Sequence, residues 1–309
     1  MAFEIFYSCA QSCVFCSSSE RMAALHARPC GVREICKVLL LKRREGVEHL
    51  LLAGGGEPLQ HPGILEILGV ARKLGLRAFV ITNGAKLAEP AFAAAALPLI
   101  DELCLSIHGD DEALHDRLTR TPGGFRRALR ALEEARRRPK TFLMMNTVVC
   151  GGNRDRLVAV LEFAAAQGVA QCQFANVAPE GRGGERFAEL AVPLAWWREH
   201  APALMRRARA LGLKLTFDGL PLCVLGEHRS ASSDVGFTPI AWVRLDPAEN
   251  GAALTEEVRT RETRDRSWPA ACAGCAEIDA CGWVFNRYTE LFGMTEIAPI
   301  RAGGGHAPR

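Results

Sequence analysis

Six strand-like apolar segments, each followed by a helix-patterned one, predict an α/β protein whose core is a partial (β/α)6 TIM-like barrel. Beyond residue 213 the alternation stops and Gly, Pro, charge and cysteine take over, which predicts a small C-terminal domain. Unusual residues recur just after the predicted strands, where such a barrel keeps its chemistry. The expected division is 1–212 for the barrel, 213–301 for the small domain and 302–309 for a frayed Gly-rich tail.

Each element has its own signal. Residues 3–7 alternate and run into a cysteine loop; 33–44 reads as a helix and 49–53 as a buried strand. Across 62–74, Ile64, Ile67, Val70 and Leu74 recur at helical spacing. A strand at 78–81, a helix at 90–97 and a strand at 102–107 follow, then a strongly helical, basic stretch at 125–138. Strand 143–149, helix 154–167, strand 171–177 and a helix at 195–210 complete the series. Six units are too few to close an eight-fold barrel, so an open one is expected.

Composition narrows the class. A length of 309 residues gives a prior near two domains, and 49% hydrophobic with 24% charged residues excludes a disordered chain. The longest apolar stretch, 92–100, is half of what a membrane-spanning helix needs. Glu4 and Cys9 interrupt the opening, so no export signal is read there, and a cytoplasmic location is expected. A net charge of +3 is too small to point to nucleic acid. Twelve cysteines, about 4% of the chain, fall short of a disulfide scaffold and in a reducing compartment are buried, catalytic or metal-bound.

The cysteines sort by spacing. Cys9, Cys13 and Cys16 form C-x3-C-x2-C in SCAQSCVFCSS; Cys272, Cys275 and Cys281 form C-x2-C-x5-C in CAGCAEIDACGW; Cys223 stands alone in LPLCVLG. Cys104, Cys150 and Cys172 sit in strand-like runs and read as small buried hydrophobes, whereas Cys30 and Cys36 stay open between packing and a place near the site. Three thiolates on a [4Fe–4S] cubane leave one iron free, and an α-amino acid can chelate it through nitrogen and carboxylate oxygen. Zinc is the alternative, with His26 or Cys30 as fourth ligand, but zinc loops rarely open with a three-residue gap. Four further loops follow predicted strands: Gly54-Gly55-Gly56-Glu57-Pro58, Thr82-Asn83-Gly84, Ser106-Ile107-His108-Gly109 and Pro179-Glu180-Gly181. One Gly-rich turn is ordinarily only a turn; five unusual loops on one rim, with three thiols in the first, argue for a site.

CAQSCVFC followed by GGGEP, TNG and SIHG resembles the radical S-adenosylmethionine (SAM) superfamily over about residues 3–180. The resemblance implies that Cys9, Cys13 and Cys16 hold a catalytic [4Fe–4S] cluster and that Phe15 packs on the adenine of S-adenosylmethionine. It implies that Gly55, Gly56 and Glu57 meet the methionine amino group, with Thr82 and Asn83 in the next loop of the cofactor site. Ser106 and His108 would face the ribose or the methionine carboxylate, and Arg120 would pair with that carboxylate unless it is a solvated helix charge.

The second cysteine group, followed by Gly282 and Tyr288, resembles the auxiliary-cluster domains called Twitch and SPASM. The resemblance makes Cys223 the fourth ligand beside Cys272, Cys275 and Cys281. The longer SPASM pattern has another cysteine four positions after the third; Phe285 stands there, so one auxiliary cluster is expected, Twitch-like, and two [4Fe–4S] clusters in all. A zinc ribbon remains the alternative at this second group.

The activity implied is reductive cleavage of S-adenosylmethionine and hydrogen-atom abstraction by a 5′-deoxyadenosyl radical, with the auxiliary cluster accepting an electron. A reductant such as flavodoxin or ferredoxin is implied with it. The substrate implied is a peptide or protein, or else a sugar or nucleotide-derived cofactor precursor. The first strand starts at residue 3, so no leader-recognition domain is expected ahead of it, which weighs against the peptide reading except where a separate protein supplies recognition. Arg126, Arg127, Arg130, Arg136, Arg137 and Arg138 read as the solvated face of a barrel helix, with an acidic peptide or RNA as the alternative partner; Trp196 and Trp197 read as packing. Two other classes compete. A two-cluster electron carrier leaves the GGGEP and TNG loops without a purpose, and near-neutral charge disfavours a zinc-binding nucleic-acid module.

Overall fold

The computed structural model describes residues 1–25, 29–138, 140–235, 240–248, 251–260 and 265–301; His26 and the tail 302–309 lie outside the described residues. The strands are β1 (Ala2–Glu4), β2 (His49–Leu52), β3 (Arg77–Thr82), β4 (Glu102–Ser106), β5 (Phe142–Val149), β6 (Gln171–Asn176), β7 (Lys214–Asp218), β8 (Ile240–Ala248) and β9 (Gly251–Arg259). They form one sheet in the order β7-β6-β5-β4-β3-β2-β1-β8-β9. Every neighbouring pair is parallel except β8 and β9. From β1 to β7 the sheet order repeats the chain order, so each crossover winds the same way and the sheet curls as an open barrel.

Helices fill the crossovers: α1 (Ser19–Leu25), α2 (Val32–Arg44), α3 (Ile64–Lys73), α4 (Pro90–Ala96), α5 (Glu112–Thr119), α6 (Gly124–Arg136) and α7 (Leu157–Ala166). After β6 come α8 (Gly181–Glu185), α9 (Phe187–Leu190) and α10 (Leu194–Ala210). Their apolar faces meet the sheet: Ile35 and Leu39 of α2, Ile64, Ile67 and Leu68 of α3, and Trp197 of α10 are buried with Leu50, Leu52, Val80, Leu103 and Phe174. On α6, Phe125, Ala128, Ala131, Leu132 and Ala135 are buried at helical spacing, which turns Arg126 and Arg130 outward. Cys104, Cys150 and Cys172 are buried, and burial pushes the Cys104 and Cys172 thiols up to about 12. Among the described residues no helix is long and apolar enough to cross a membrane.

The six expected strands are present, and the sheet continues past them. β7 pairs with β6 from Gln171↔Lys214 to Ala175↔Asp218, although it lies where the alternation seemed to stop. It is short and alternates, with only Leu215 and Phe217 buried, so pairing with β6 rather than its own pattern makes it a strand. β8 and β9 form a hairpin on the other edge, β8 pairing with β1 from Ala2↔Trp242 to Glu4↔Arg244.

The C-terminal segment adds α11 (Leu222–Leu225), a two-stranded ladder of β10 (Arg266–Ser267) with β11 (Val284–Phe285), and α12 (Asn286–Phe292). A buried ion pair ties it to the sheet. Arg266 Nη1 donates to Asp234 Oδ2 at 2.9 Å and to the Gly282 carbonyl at 3.0 Å, and Asp234 Oδ2 also accepts from Gly219 N, just past β7. Removing one partner leaves a buried charge uncompensated. Asp234→Ala is therefore expected to cost about 3–5 kcal/mol in urea unfolding.

Candidate active site

The loop after β1 carries Cys9, Cys13 and Cys16 with almost no secondary structure of its own, so neighbouring backbones hold it. Ser12 N donates to Thr119 O at 3.0 Å and Val14 N to Leu118 O at 2.9 Å, fixing it to the end of α5. Arg182 Nε donates to Cys13 O at 3.0 Å from α8. Gly181 lets α8 come this close, because a Cβ there would lie 2.6 Å from Cys16 O and from Ser19 Oγ.

The three thiols sense one another. Burial first, then the charges of Glu57 and Cys16 among others, pushes Cys9 up to about 11; burial with Cys9 and Cys16 pushes Cys13 up to about 12, Arg182 opposing. Gln11 N and Asn83 Nδ2 both donate toward Cys9 Sγ, at 3.4 and 3.5 Å. Among the described residues no three His, Cys, Asp or Glu side chains are arranged to hold a single metal ion. The fit of an iron–sulfur cluster rests on the donor set: three grouped, desolvated thiols with N–H donors turned toward sulfur, groups that favour thiolate over thiol.

The second loop lies directly on the first. A Cβ on Gly56 would come within 2.3 Å of Ser8 O and 2.6 Å of Ser8 N, and Glu57 N donates to Ser8 O at 2.8 Å. The Glu57 carboxylate accepts from Leu59 N at 3.1 Å, Thr82 Oγ1 at 2.6 Å and Asn83 N at 2.8 Å. These bonds make Glu57 the tie between the second and third loops. Burial pushes its carboxyl up against them.

Phe15 is buried and meets His108 edge to face, ring centroids 4.7 Å apart. Val148 N donates to His108 Nδ1 at 3.2 Å, which places the proton of the neutral ring on Nε2. Burial, then His115, holds His108 well below the ordinary histidine range. Ser106 ends β4 in register with Asn146 of β5. Arg120 caps α5 in the left-handed conformation, φ 50° and ψ 40°, with its side chain exposed. Cys30 is buried elsewhere, its thiol donating to Leu245 O at 2.7 Å.

A cavity of about 660 Å³ opens beside these loops. Ser17 and Ser18 of the cysteine loop, Gly54, Gly181 and the C-terminal residues Asp265 and Arg287 are among its walls. None of the cofactor residues expected from the sequence lines it directly; Gly54 and Ser17 are the chain neighbours of Gly55 and Cys16. Glu4, bonded to Arg21 at 2.6 Å, also lines it; neither it nor Arg182 stood out in the sequence. Arg182 does lie in the loop after the sixth strand, which the Gly-rich EGRGG run marks.

The structure brings Cys223 to Cys272, Cys275 and Cys281, all four lining one small hollow with Trp268 and Trp283. Leu222 N and Trp283 N donate to Cys281 Sγ at 3.4 and 3.3 Å. Burial first, then the other three thiols, pushes Cys272 up to about 11.

Fold and loops together define an α/β enzyme scaffold with a thiol-bearing site at the carboxyl ends of parallel strands. A family model, the Radical SAM superfamily, matches residues 3–164, and the chain belongs to that superfamily. Membership brings S-adenosylmethionine and a [4Fe–4S] cluster. The chain is 30% identical over 224 residues to the PqqA peptide cyclase of Ruegeria pomeroyi, covering 72% of this chain and 58% of that protein. It is 28% identical over 187 residues to the AdoMet-dependent heme synthase of Methanosarcina barkeri, covering 60% and 52%. It thus spans little more than half of these two relatives. The mycofactocin maturase MftC of Mycolicibacterium smegmatis matches at 24% over 303 residues, 91% of this chain and 76% of that one. In fold, the chain resembles anSMEcpe with bound AdoMet and Cp18Cys peptide, TM-score 0.66 at 14% identity over 97% of this chain and 92% of that one. It also resembles Streptococcus suis SuiB bound to precursor peptide SuiA, TM-score 0.58 at 18% identity over 71% and 48%.

The buried histidines make stability depend on pH. Burial pushes His115 down to about 4, Asp116 opposing and Arg127 adding, whereas in the unfolded chain it titrates near 6.5. Between those values the unfolded state binds the extra proton. Stability is therefore full above about pH 6.5 and falls as pH drops toward 4, by on the order of 3 kcal/mol from His115, with His108 acting in the same direction. Urea unfolding across that window should show the slope, and His115→Gln should flatten it.

Proposed function

We propose that this chain is a two-cluster radical SAM enzyme that oxidises or cross-links a peptide. The cavity of about 660 Å³ carries the reading, because the cysteine loop, Gly54, the loop after β6 and the C-terminal segment all wall it. A substrate held there lies against Ser17, the chain neighbour of Cys16, and against Asp265 and Arg287 of the C-terminal segment. When bound, S-adenosylmethionine and its cluster supply a 5′-deoxyadenosyl radical that takes a hydrogen atom from an unactivated carbon, and the second cluster accepts an electron.

The chain's own part is holding and positioning. Cys9, Cys13 and Cys16 hold the first cluster, with Gln11 N and Asn83 Nδ2 donating toward Cys9 sulfur. Gly55 and Gly56 let the second loop lie directly against Phe6, Tyr7 and Ser8, which brings its backbone to the methionine amino group, while Glu57, Thr82 and Asn83 tie the second loop to the third. Phe15 offers its ring to the adenine, and Ser106 with His108 Nε2–H serves the ribose or carboxylate. Cys223, Cys272, Cys275 and Cys281 hold the second cluster. Four thiolates on four irons leave none for substrate, so that cluster moves electrons. The division into a barrel at 1–212 and an auxiliary domain at 213–301 belongs to the same proposal, with β7 and the β8–β9 hairpin joining the two parts in one sheet.

The peptide reading draws support from relatives named as PqqA peptide cyclase and mycofactocin maturase. A small-molecule precursor is the second reading, favoured by the match to an AdoMet-dependent heme synthase.

Anaerobic reconstitution is expected to yield about eight irons and 5′-deoxyadenosine on reduction, and deuterium should pass from a perdeuterated peptide substrate into that product. Zinc in place of iron, or eight irons without cleavage, would overturn the reading. Cys13→Ala should reduce 5′-deoxyadenosine to background while keeping the second cluster. Cys272→Ala and Cys223→Ala should each lower the iron to about four, retain uncoupled cleavage and lose peptide product. A full iron content in Cys223→Ala would remove Cys223 from the ligand set.

A further inference from the structure

We propose that Arg182 raises the reduction potential of the first cluster, its guanidinium charge stabilising the electron that the cluster takes up. The proposal rests on reading Cys9, Cys13 and Cys16 as the ligands of that cluster.

The short helix α8 closes over the cysteine loop from Cys13 to Ser19. A Cβ on Gly181 would lie 2.6 Å from Cys16 O and 2.9 Å from Ser17 O, and one on Gly183 would lie 3.1 Å from Phe15 O. Arg182 N donates to Ser19 Oγ at 2.8 Å. These backbone contacts already seat α8 on the loop. What the half-buried Arg182 side chain adds is one bond, from Nε to Cys13 O at 3.0 Å, and a positive charge.

That charge has no counter-ion of its own. Arg186, one turn further on, is held by Glu189, and Arg21 by Glu4. Among the described residues no carboxylate pairs with Arg182. Its chain neighbours Glu180 and Glu185 line the cavity instead. The charge reaches the Cys13 sulfur, where it opposes the push of burial and of the other two thiols. Glu57, the acidic group at the loop, acts on Cys9 and is already bonded by Leu59, Thr82 and Asn83.

Three thiolates on a [4Fe–4S] core make the site negative, and reduction adds one more negative charge. Arginine stays protonated throughout. A cation against the loop therefore favours the reduced site over the oxidised one, the more so where water is partly excluded. The step is one electron passing from dithionite to the cluster; no bond is made or broken and no proton moves. Arg182 touches no reacting atom, so it is a positioning residue whose lever is charge.

The test is a potentiometric titration with dithionite of the anaerobically reconstituted full chain. Electron paramagnetic resonance reads it with and without S-adenosylmethionine. The signal that S-adenosylmethionine alters belongs to the first cluster, whose fourth iron is open, and the other signal is the internal control. Arg182→Gln and Arg182→Met should take up wild-type iron. At a given potential their first cluster should be shifted about tenfold toward the oxidised form, about 59 mV for one electron, with the control unmoved. Arg182→Lys keeps the charge without the guanidinium fork and should stay within about twofold of wild type. Unshifted neutral variants would overturn the proposal. So would a lysine variant shifted as far as they are, because the bond and not the charge would then matter. Loss of the first cluster from both neutral variants would overturn it too, by making Arg182 a requirement of assembly. A wild-type protein in which S-adenosylmethionine alters neither signal would instead overturn the cluster reading beneath it.

Discussion

The contact on which the candidate site depends is the seating of the second loop against the first. Gly56 sits so close to Ser8 that any side chain would strike its backbone, and Glu57 N closes the contact with a bond to Ser8 O. Val14 and Phe15 of the cysteine loop join the hydrophobic core, and hydrogen bonds place the rest of it. These bonds come from other elements: Ser8 meets the second loop, Ser12 and Val14 meet α5, and Cys13 receives Arg182 from beyond β6. The parallel order of the sheet makes this possible by delivering all of those loops to one rim.

Burial then sets the chemistry of what is gathered there. Removing thiols from water disfavours their charged form, so Cys9 and Cys13 are poor thiolates until a cation or an iron cluster compensates them. The same desolvation keeps His108 neutral, with its proton on Nε2 because Nδ1 accepts from Val148 N. Glu57 resolves the opposite problem: a buried carboxylate needs donors, and Thr82 with the backbone of Leu59 and Asn83 supplies them. A motif residue therefore works as an internal brace.

Local pattern was enough where an element carries its own period. The helices at Ile64–Lys73 and Gly124–Arg136 and the strands from His49–Leu52 to Gln171–Asn176 are nearly as their apolar spacing predicts. Short-range chemistry was equally legible: C-x3-C-x2-C fixes three thiols within one loop before any fold is known. The strand Lys214–Asp218 was not legible, since two buried side chains do not announce a strand without a partner to pair with. Nor was the fact that Glu57 faces Thr82 and Asn83, because nothing in a linear motif says which way a carboxylate turns.

The sequence by itself determined the α/β class, the order of the barrel strands, the two cysteine groups and the superfamily resemblance, since each rests on periodicity or on residues close together in the chain. Only the tertiary structure decided that Asp234 finds Arg266 and that Arg182 reaches Cys13, and only it shows Cys223, expected from the resemblance, in one hollow with Cys272, Cys275 and Cys281. Each of these joins residues far apart in sequence, and its partner is chosen by how the sheet curls and which loops it brings to the same rim. No local spacing encodes that choice.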